Sequence, residues 1–132
     1  MKTSWWFAAA IIGAVSILGC TGSGATDPAG AHIVKMTSTL KYDPAEITIK
    51  VGETVNWKNS SIMDHTVTAD PSLAKRAEHV SLPEGAQPFN SGNISPGKSF
   101  SYTFTVTGTY KYFCIPHESM GMIGVVVVKP PD

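Results

Sequence analysis

The sequence predicts an all-β chain folded as a β-sandwich, with a short helix or loop insertion near residues 71–96. Three observations predict it. Short segments alternate apolar with polar residues, most cleanly from Ser99 to Val106, as half-buried strands do. Turn residues separate these segments at close intervals, as at Gly52-Glu53, Asn59-Ser60-Ser61 and Gly108. Met122 to Val128 is an unbroken apolar run suited to a sheet interior. Short strands with frequent turns indicate a sandwich.

Taken in order, the chain begins with Lys2 and an apolar run from Trp5 to Gly19. That run has the length of a signal-peptide core and is short for a membrane span, which needs roughly 20 apolar residues. Residues 1–19 are therefore expected to be a signal peptide. Ile17-Leu18-Gly19-Cys20 resembles a bacterial lipobox, in which the cysteine is lipidated and becomes the new N-terminus. A rival A-x-A cleavage site, Ala29-Gly30-Ala31, lies far from the apolar run, and an uncleaved anchor helix is the third reading. All three send the domain out of the cytoplasm, to the periplasm or cell surface, with membrane association through Cys20 as the expectation. Residues 20–31 are small, polar and rich in Gly. They read as a flexible linker spanning about 18 Å root-mean-square. Residues 32–132 then form one domain.

Ile33 to Met36 and Glu46 to Val51 are strand candidates, with a turn at Tyr42-Asp43-Pro44 between them. Thr54 to Lys58 follows, broken by Asn59-Ser60-Ser61, and His65 to Thr68 starts the next strand. Pro71 to Val80 is a short-helix candidate, and Leu82 to Pro96 reads as Pro- and Gly-rich loop. Ser99 to Val106 puts Phe100, Tyr102, Phe104 and Val106 on one face. Gly108 then turns the chain into Thr109 to Phe113, and Met122 to Val128 closes the fold.

Between those last two strands lies Y-F-C-I-P-H-E-S-M-G-M-I-G-V, residues 112–125. It carries Cys114, His117, Met120 and Met122. Thiolate and thioether are soft donors, and imidazole suits copper and several other transition metals. Two His and a Cys in a trigonal set, with a long bond to an axial Met, make a blue-copper electron-transfer site. The best candidate for the second His is His65, in M-D-H-T-V-T. Cys114 has no expected disulfide partner, because Cys20 is either lipidated or removed. An unpaired thiol in an exported domain is an oxidation hazard unless a metal occupies it.

These residues resemble the cupredoxins, most closely plastocyanin and pseudoazurin. The family places a His three residues after the strand-ending Cys and a Met eight residues after it, which maps onto Cys114, His117 and Met122. The resemblance runs back through P-G-K-S-F-S-Y-T-F-T-V-T-G-T-Y-K-Y-F-C to E-I-T-I-K-V-G-E-T-V-N-W-K-N and covers residues 33–129. It implies a cupredoxin-like Greek-key sandwich holding one type 1 copper ion through His65, Cys114, His117 and Met122. Amicyanin-like loops make Met120 a competitor for the axial place, but the plastocyanin-like loop length favours Met122. Pro116 restricts the turn before His117, and Gly121 and Gly124 are expected to allow close packing around Met122.

Three residues depart from the plastocyanin pattern. Asp64 stands where that family commonly has Pro. Thr66 replaces the usual Asn, so a hydrogen bond near Cys114 is in question. Phe113 replaces the usual Tyr.

The implied function is a one-electron shuttle, not an enzyme. Its partners would be redox proteins, a cytochrome or a membrane oxidoreductase, docking on Met63, Pro116, His117 and Met120. Small interfaces suit such encounters. The rivals are a copper delivery or storage lipoprotein and a metal-free β-sandwich binding module. Structural zinc and iron–sulfur clusters want donor sets that are absent here. A Cys–His nucleophile lacks a surrounding substrate site. Lys and Arg together number 10, as do Asp and Glu, leaving no basic stripe for nucleic acid. The domain is expected to be monomeric. His32 and His79 are expected at the surface, and Glu118 is expected to be a solvated loop charge.

Overall fold

The computed structural model describes residues 30–132. The expected signal peptide, the lipidated Cys20 and nearly all of the linker lie outside the described residues. The described chain forms β1 (His32–Met36), β2 (Tyr42–Asp43), β3 (Glu46–Lys50), β4 (Thr54–Asn59), β5 (Thr68–Ala69), β6 (Phe89–Asn90), β7 (Ser99–Thr103), β8 (Gly108–Phe113) and β9 (Ile123–Lys129). One sheet has the order β2-β1-β4-β7 and the other β3-β9-β8-β5-β6. Both are mixed: β1 runs parallel to β4 and β3 parallel to β9, while β4–β7 and β8–β9 are antiparallel. This is the all-β sandwich that the alternation predicted.

The inward faces meet in one core. Val34 and Met36 of β1, Val55 and Trp57 of β4, Tyr110 and Tyr112 of β8, and Val126 and Val128 of β9 are all buried there. Burying one large apolar side chain contributes about 1.5–3 kcal/mol. The polar ends of the aromatics are paired as well. Trp57 Nε1–H donates to the Tyr112 hydroxyl at 3.0 Å, and the Tyr42 hydroxyl donates to the Thr66 carbonyl at 2.6 Å. Among the described residues no buried side-chain nitrogen or oxygen lacks a partner. Cys114 and Met122 belong to the same buried cluster, so the candidate ligands grow directly out of the core.

Five elements differ from the sequence expectation, each for a local reason. The first is β7, which ends at Thr103 and not at Val106 because Phe104 turns its backbone bonds to Gly52 and Glu53. Tyr42–Asp43, expected as turn, pairs with β1 because the Tyr42 ring is drawn inward against Tyr112. The Asn59 break moves one residue on: Asn59 ends β4 with its side chain buried. Its amide donates to the carbonyls of Met63 and Ile94 at 2.7 and 2.8 Å and accepts from Ser61. The strand expected from His65 is mostly absent. His65 pairs alone with Ile94, and only Thr68–Ala69 joins the sheet. The N–H groups between them go elsewhere, Thr66 to the Cys114 sulfur and Val67 to Ser91 Oγ. In β9 the apolar run alternates after all, with Gly124, Val126 and Val128 buried and the residues between them half-buried.

The insertion near 71–96 resolves into two short 3-10 helices, Pro71–Leu73 and Ala77–His79, followed by loop interrupted by β6. Asp70 caps the first by accepting from Ser72 N–H at 3.0 Å. Gly124 makes room for the Tyr112 ring rather than for Met122. It lies opposite Tyr112 in the β8–β9 ladder, and a β-carbon there would overlap that ring.

Candidate metal centre

β8 ends at Phe113 and hands the chain to a tight 3-10 segment, Ile115–Met120, with Cys114 at its N-cap and Pro116 in its first turn. The segment is kinked at His117, whose φ is −124° and ψ 16°. Gly121 ends it in the left-handed region, φ 79°, where glycine carries no side-chain penalty. Backbone bonds close the loop on itself. Cys114 N–H donates to the Met122 carbonyl at 3.1 Å, Met122 N–H to the His117 carbonyl at 3.3 Å, and His117 N–H to the Cys114 carbonyl at 3.1 Å. The spacing of Cys, His and Met therefore becomes one rigid unit.

His65 reaches this unit from 49 residues earlier in the chain. Its Nδ1 lies 3.6 Å from the Cys114 sulfur, and His117 Nδ1 lies 3.4 Å from the same atom. One donor atom from each of His65, Cys114 and His117 lies within 4.8 Å of the others. The two imidazole rings are tilted, with centroids 5.0 Å apart. His65 and Cys114 are fully buried, and His117 is half-buried at the molecular surface. Met122 is fully buried in the same cluster. Met120 is 64 % exposed, so it does not stand where a core thioether would.

The network around His65 orients it. Ser61 Oγ lies 2.9 Å from His65 Nε2. The single proton of that hydroxyl faces two pure acceptors, Asn59 Oδ1 at 2.8 Å and the Met63 carbonyl at 3.0 Å. Toward His65 the hydroxyl therefore accepts, which puts the imidazole proton on Nε2 and leaves the Nδ1 lone pair facing the sulfur. Burial lowers the His65 pKa below 6.5, helped by the proximity of His117 and opposed by Asp64. A neutral imidazole is the form that ligates a metal.

Burial likewise pushes the Cys114 thiol above 9.0, and the N–H groups of Thr66 and His117 oppose that shift. The Thr66 N–H donates to the sulfur at 3.3 Å. The threonine that replaces the usual asparagine thus keeps a hydrogen bond at the cysteine. Its Oγ1 adds another tie by accepting from Ile115 N–H at 2.9 Å. Among the described residues Cys114 is free of any disulfide. Two imidazole nitrogens and a soft sulfur converging on one buried point are the donors that copper takes.

Two expectations near the site are corrected. Glu118 is not a solvated loop charge: it is buried, 2 % exposed, because the segment at Lys75–His79 folds over it and supplies N–H donors. His79 is correspondingly no free surface residue. Its Nδ1 lies 3.0 Å from Glu118 Oε1, and its side chain is 19 % exposed. His32 is also partly covered, 3.0 Å from Glu53. Of the expected docking residues, Pro116 and Met120 are exposed, while His117 and Met63 are half-buried. Ile62, outside the expected docking set, is 87 % exposed beside Met63. A lone isoleucine in a polar turn gives no periodic signal by which to find it. Asn59 and Ser61 read in the sequence as turn formers, although a polar run just before a candidate ligand is where supporting groups sit.

The family model for copper binding proteins of the plastocyanin/azurin family matches residues 30–129. The chain belongs to this family. Among relatives, it is 33 % identical over 93 residues to plastocyanin of Scenedesmus fuscus, covering 70 % of this chain and 91 % of that protein. It is 37 % identical over 90 residues to chloroplastic plastocyanin of Oryza sativa subsp. indica, covering 68 % of this chain. In that second case it spans only 56 % of the relative's length. Among solved structures, the reduced state of an amicyanin variant superposes with a TM-score of 0.61 at 31 % identity, covering 81 % of this chain and 92 % of that one. In this plastocyanin/azurin family member, the cysteine loop and the distant histidine meet at the end of the sandwich from which β8 and β9 emerge.

Proposed function

We propose that the protein is a blue-copper electron carrier that shuttles one electron between redox partners. His65, Cys114, His117 and Met122 would hold one copper ion. Bound there, copper supplies a Cu(I)/Cu(II) couple. The observation that carries the reading is the convergence of His65 Nδ1, Cys114 Sγ and His117 Nδ1 from two separate elements onto one buried point. The chain's own part is to keep those donors still. The Thr66 N–H on the sulfur and Ser61 on His65 hold two of them in place. A carrier benefits from such rigidity because little has to move when the charge changes.

Membership of the plastocyanin/azurin family supports the same reading, as do the plastocyanin relatives and the amicyanin neighbours. His117, half-buried, is the residue through which electrons would leave. Pro116, Met120, Met63 and the exposed Ile62 would form the apolar docking rim around it. The partners would be a cytochrome or a membrane oxidoreductase, met by a monomer. Export, a signal peptide over residues 1–19 and lipidation at Cys20, with a linker over 20–31, complete the proposal. They rest on the sequence alone.

The test is to add Cu(II) to the purified protein and record visible and electron paramagnetic resonance spectra beside Cys114→Ser. An intense blue band that bleaches reversibly on reduction, with copper retained in both states, is expected of the wild type and absent from the variant. Copper lost on each reduction would point instead to metal carried as cargo.

A further inference from the structure

Thr66 braces the Cys114 end of the ligand loop; the structure shows a second brace at the His117 end. The Glu118 side chain is 1 % exposed, and its carboxylate meets only N–H donors. Lys75 N–H lies 2.9 Å from Oε1 and 3.0 Å from Oε2, Arg76 N–H 3.1 Å from Oε1, and His79 Nδ1 3.0 Å from Oε1. The Lys75 and Arg76 N–H groups can only donate, and a proton shared with His79 Nδ1 rests on the more basic imidazole, so the carboxyl group sits there as the anion. A buried charge is tolerated only where such partners satisfy it.

The segment that grips Glu118 is itself fixed to β8. Ser81 and Lys111 exchange backbone bonds at 3.1 and 2.9 Å, and Lys111 Nζ donates to the Glu78 carbonyl at 2.8 Å. A closed circuit therefore runs from β8, through residues 75–81, to Glu118 and back along the loop to Cys114. Glu118 also sits in the turn itself. Its carbonyl accepts from Gly121 N–H at 3.0 Å, and the carbonyl of the preceding His117 accepts from Met122 N–H. Moving Glu118 would disturb His117 on one side and the approach to Met122 on the other.

We propose that Glu118 is a positioning residue for the copper ligands, its buried carboxylate locking the loop that presents His117 and Met122 to the 75–79 segment. The proposal rests on the copper reading above, but its mechanical core does not need the metal.

The test compares wild type, Glu118→Gln and His79→Ala as full chains. Glu118→Gln keeps the size but removes the charge and turns an amide N–H toward groups that already donate. His79→Ala leaves the two backbone donors and the charge. In metal-free protein, Glu118→Gln should speed amide exchange at Lys75, Arg76, Gly121 and Met122 by about tenfold or more, with Thr66 unchanged. His79→Ala should do the same to a lesser degree, and it decides the question should Glu118→Gln fail to fold. With copper loaded, Glu118→Gln should shift the reduction potential upward, because loss of a nearby negative charge favours the reduced ion. His79→Ala, which keeps that charge, should not reproduce the upward shift. Faster exchange confined to Lys75 and Arg76, with Gly121, Met122 and the copper spectrum unaltered, would overturn the proposal even if the potential rises, because loss of the charge alone raises it. A wild type that takes up no copper would sink the electron-carrier reading instead, while the exchange rates still decide the brace.

Discussion

Ser61 decides which nitrogen of His65 faces the cysteine, and it does so with one proton. Because that proton is shared between Asn59 Oδ1 and the Met63 carbonyl, the hydroxyl oxygen receives the Nε2–H of His65. Outer partners of this kind commonly change metal affinity by about 10–100-fold. Ser61→Ala is therefore expected to weaken copper binding by at least about tenfold in a chelator competition, while Cys114 still gives a blue site at saturating metal. An unaltered affinity would show that the backbone bonds between His65 and Ile94 hold the imidazole in place without the hydroxyl. The ligand types were legible at this scale, since Cys, His and Met declare their chemistry by name. Ser61, Asn59 and Glu118 were not legible, because a hydroxyl, an amide or a carboxylate in a turn reads as solvent-facing until the fold supplies partners.

At the scale of the element, β8 and β9 carry the site, and their register depends on Gly124. The Tyr112 ring lies over Gly124 across the ladder and packs edge-on against Tyr42, and its hydroxyl accepts from Trp57 Nε1–H. Gly124→Ala would push that ring into a core with no space for it. Overpacking typically costs about 1–3 kcal/mol, and the cost here should sit at the upper end because the ring is fully buried. Urea unfolding followed by Trp57 fluorescence would read it as a lowered midpoint, and an unchanged midpoint would mean that the sheet shifts to accommodate the methyl group. The strand pattern of β8 and β9 was evident from alternation and from the apolar run. The missing strand after His65 was not, because Thr66 and Val67 direct their N–H groups to side chains that are distant in sequence.

For the whole molecule, one contributor to acid stability sits where β1 begins, at His32. Lys50 N–H donates to Glu53 Oε2 at 2.8 Å, and His32 adds a contact at 3.0 Å. The Lys50 N–H holds the Glu53 carboxyl below 4.5, against the opposing effect of burial and with lesser help from His32. A carboxyl lowered by folding stabilises the protein above its unfolded value and loses that contribution as pH falls through the folded one. Stability should therefore decline below about pH 4.5 in part through Glu53. Glu53→Gln should flatten that decline in urea midpoints measured across the acid range, with little change near neutrality beyond the lost charge. The side chain is 41 % exposed, so the effect is expected to be modest.

Local sequence was enough to determine the all-β class, most strand positions and the donor types Cys114, His117 and Met122, because alternation, turn chemistry and soft-ligand spacing are properties of neighbours along the chain. The tertiary structure decided what contact between remote segments creates: His65 beside Cys114 across 49 residues, the tautomer set by Ser61, and the enclosure of Glu118 by Lys75–His79. A hydrogen-bond partner or a buried charge has no signature until the chain closes around it, since its energy depends on distance and desolvation rather than on residue order.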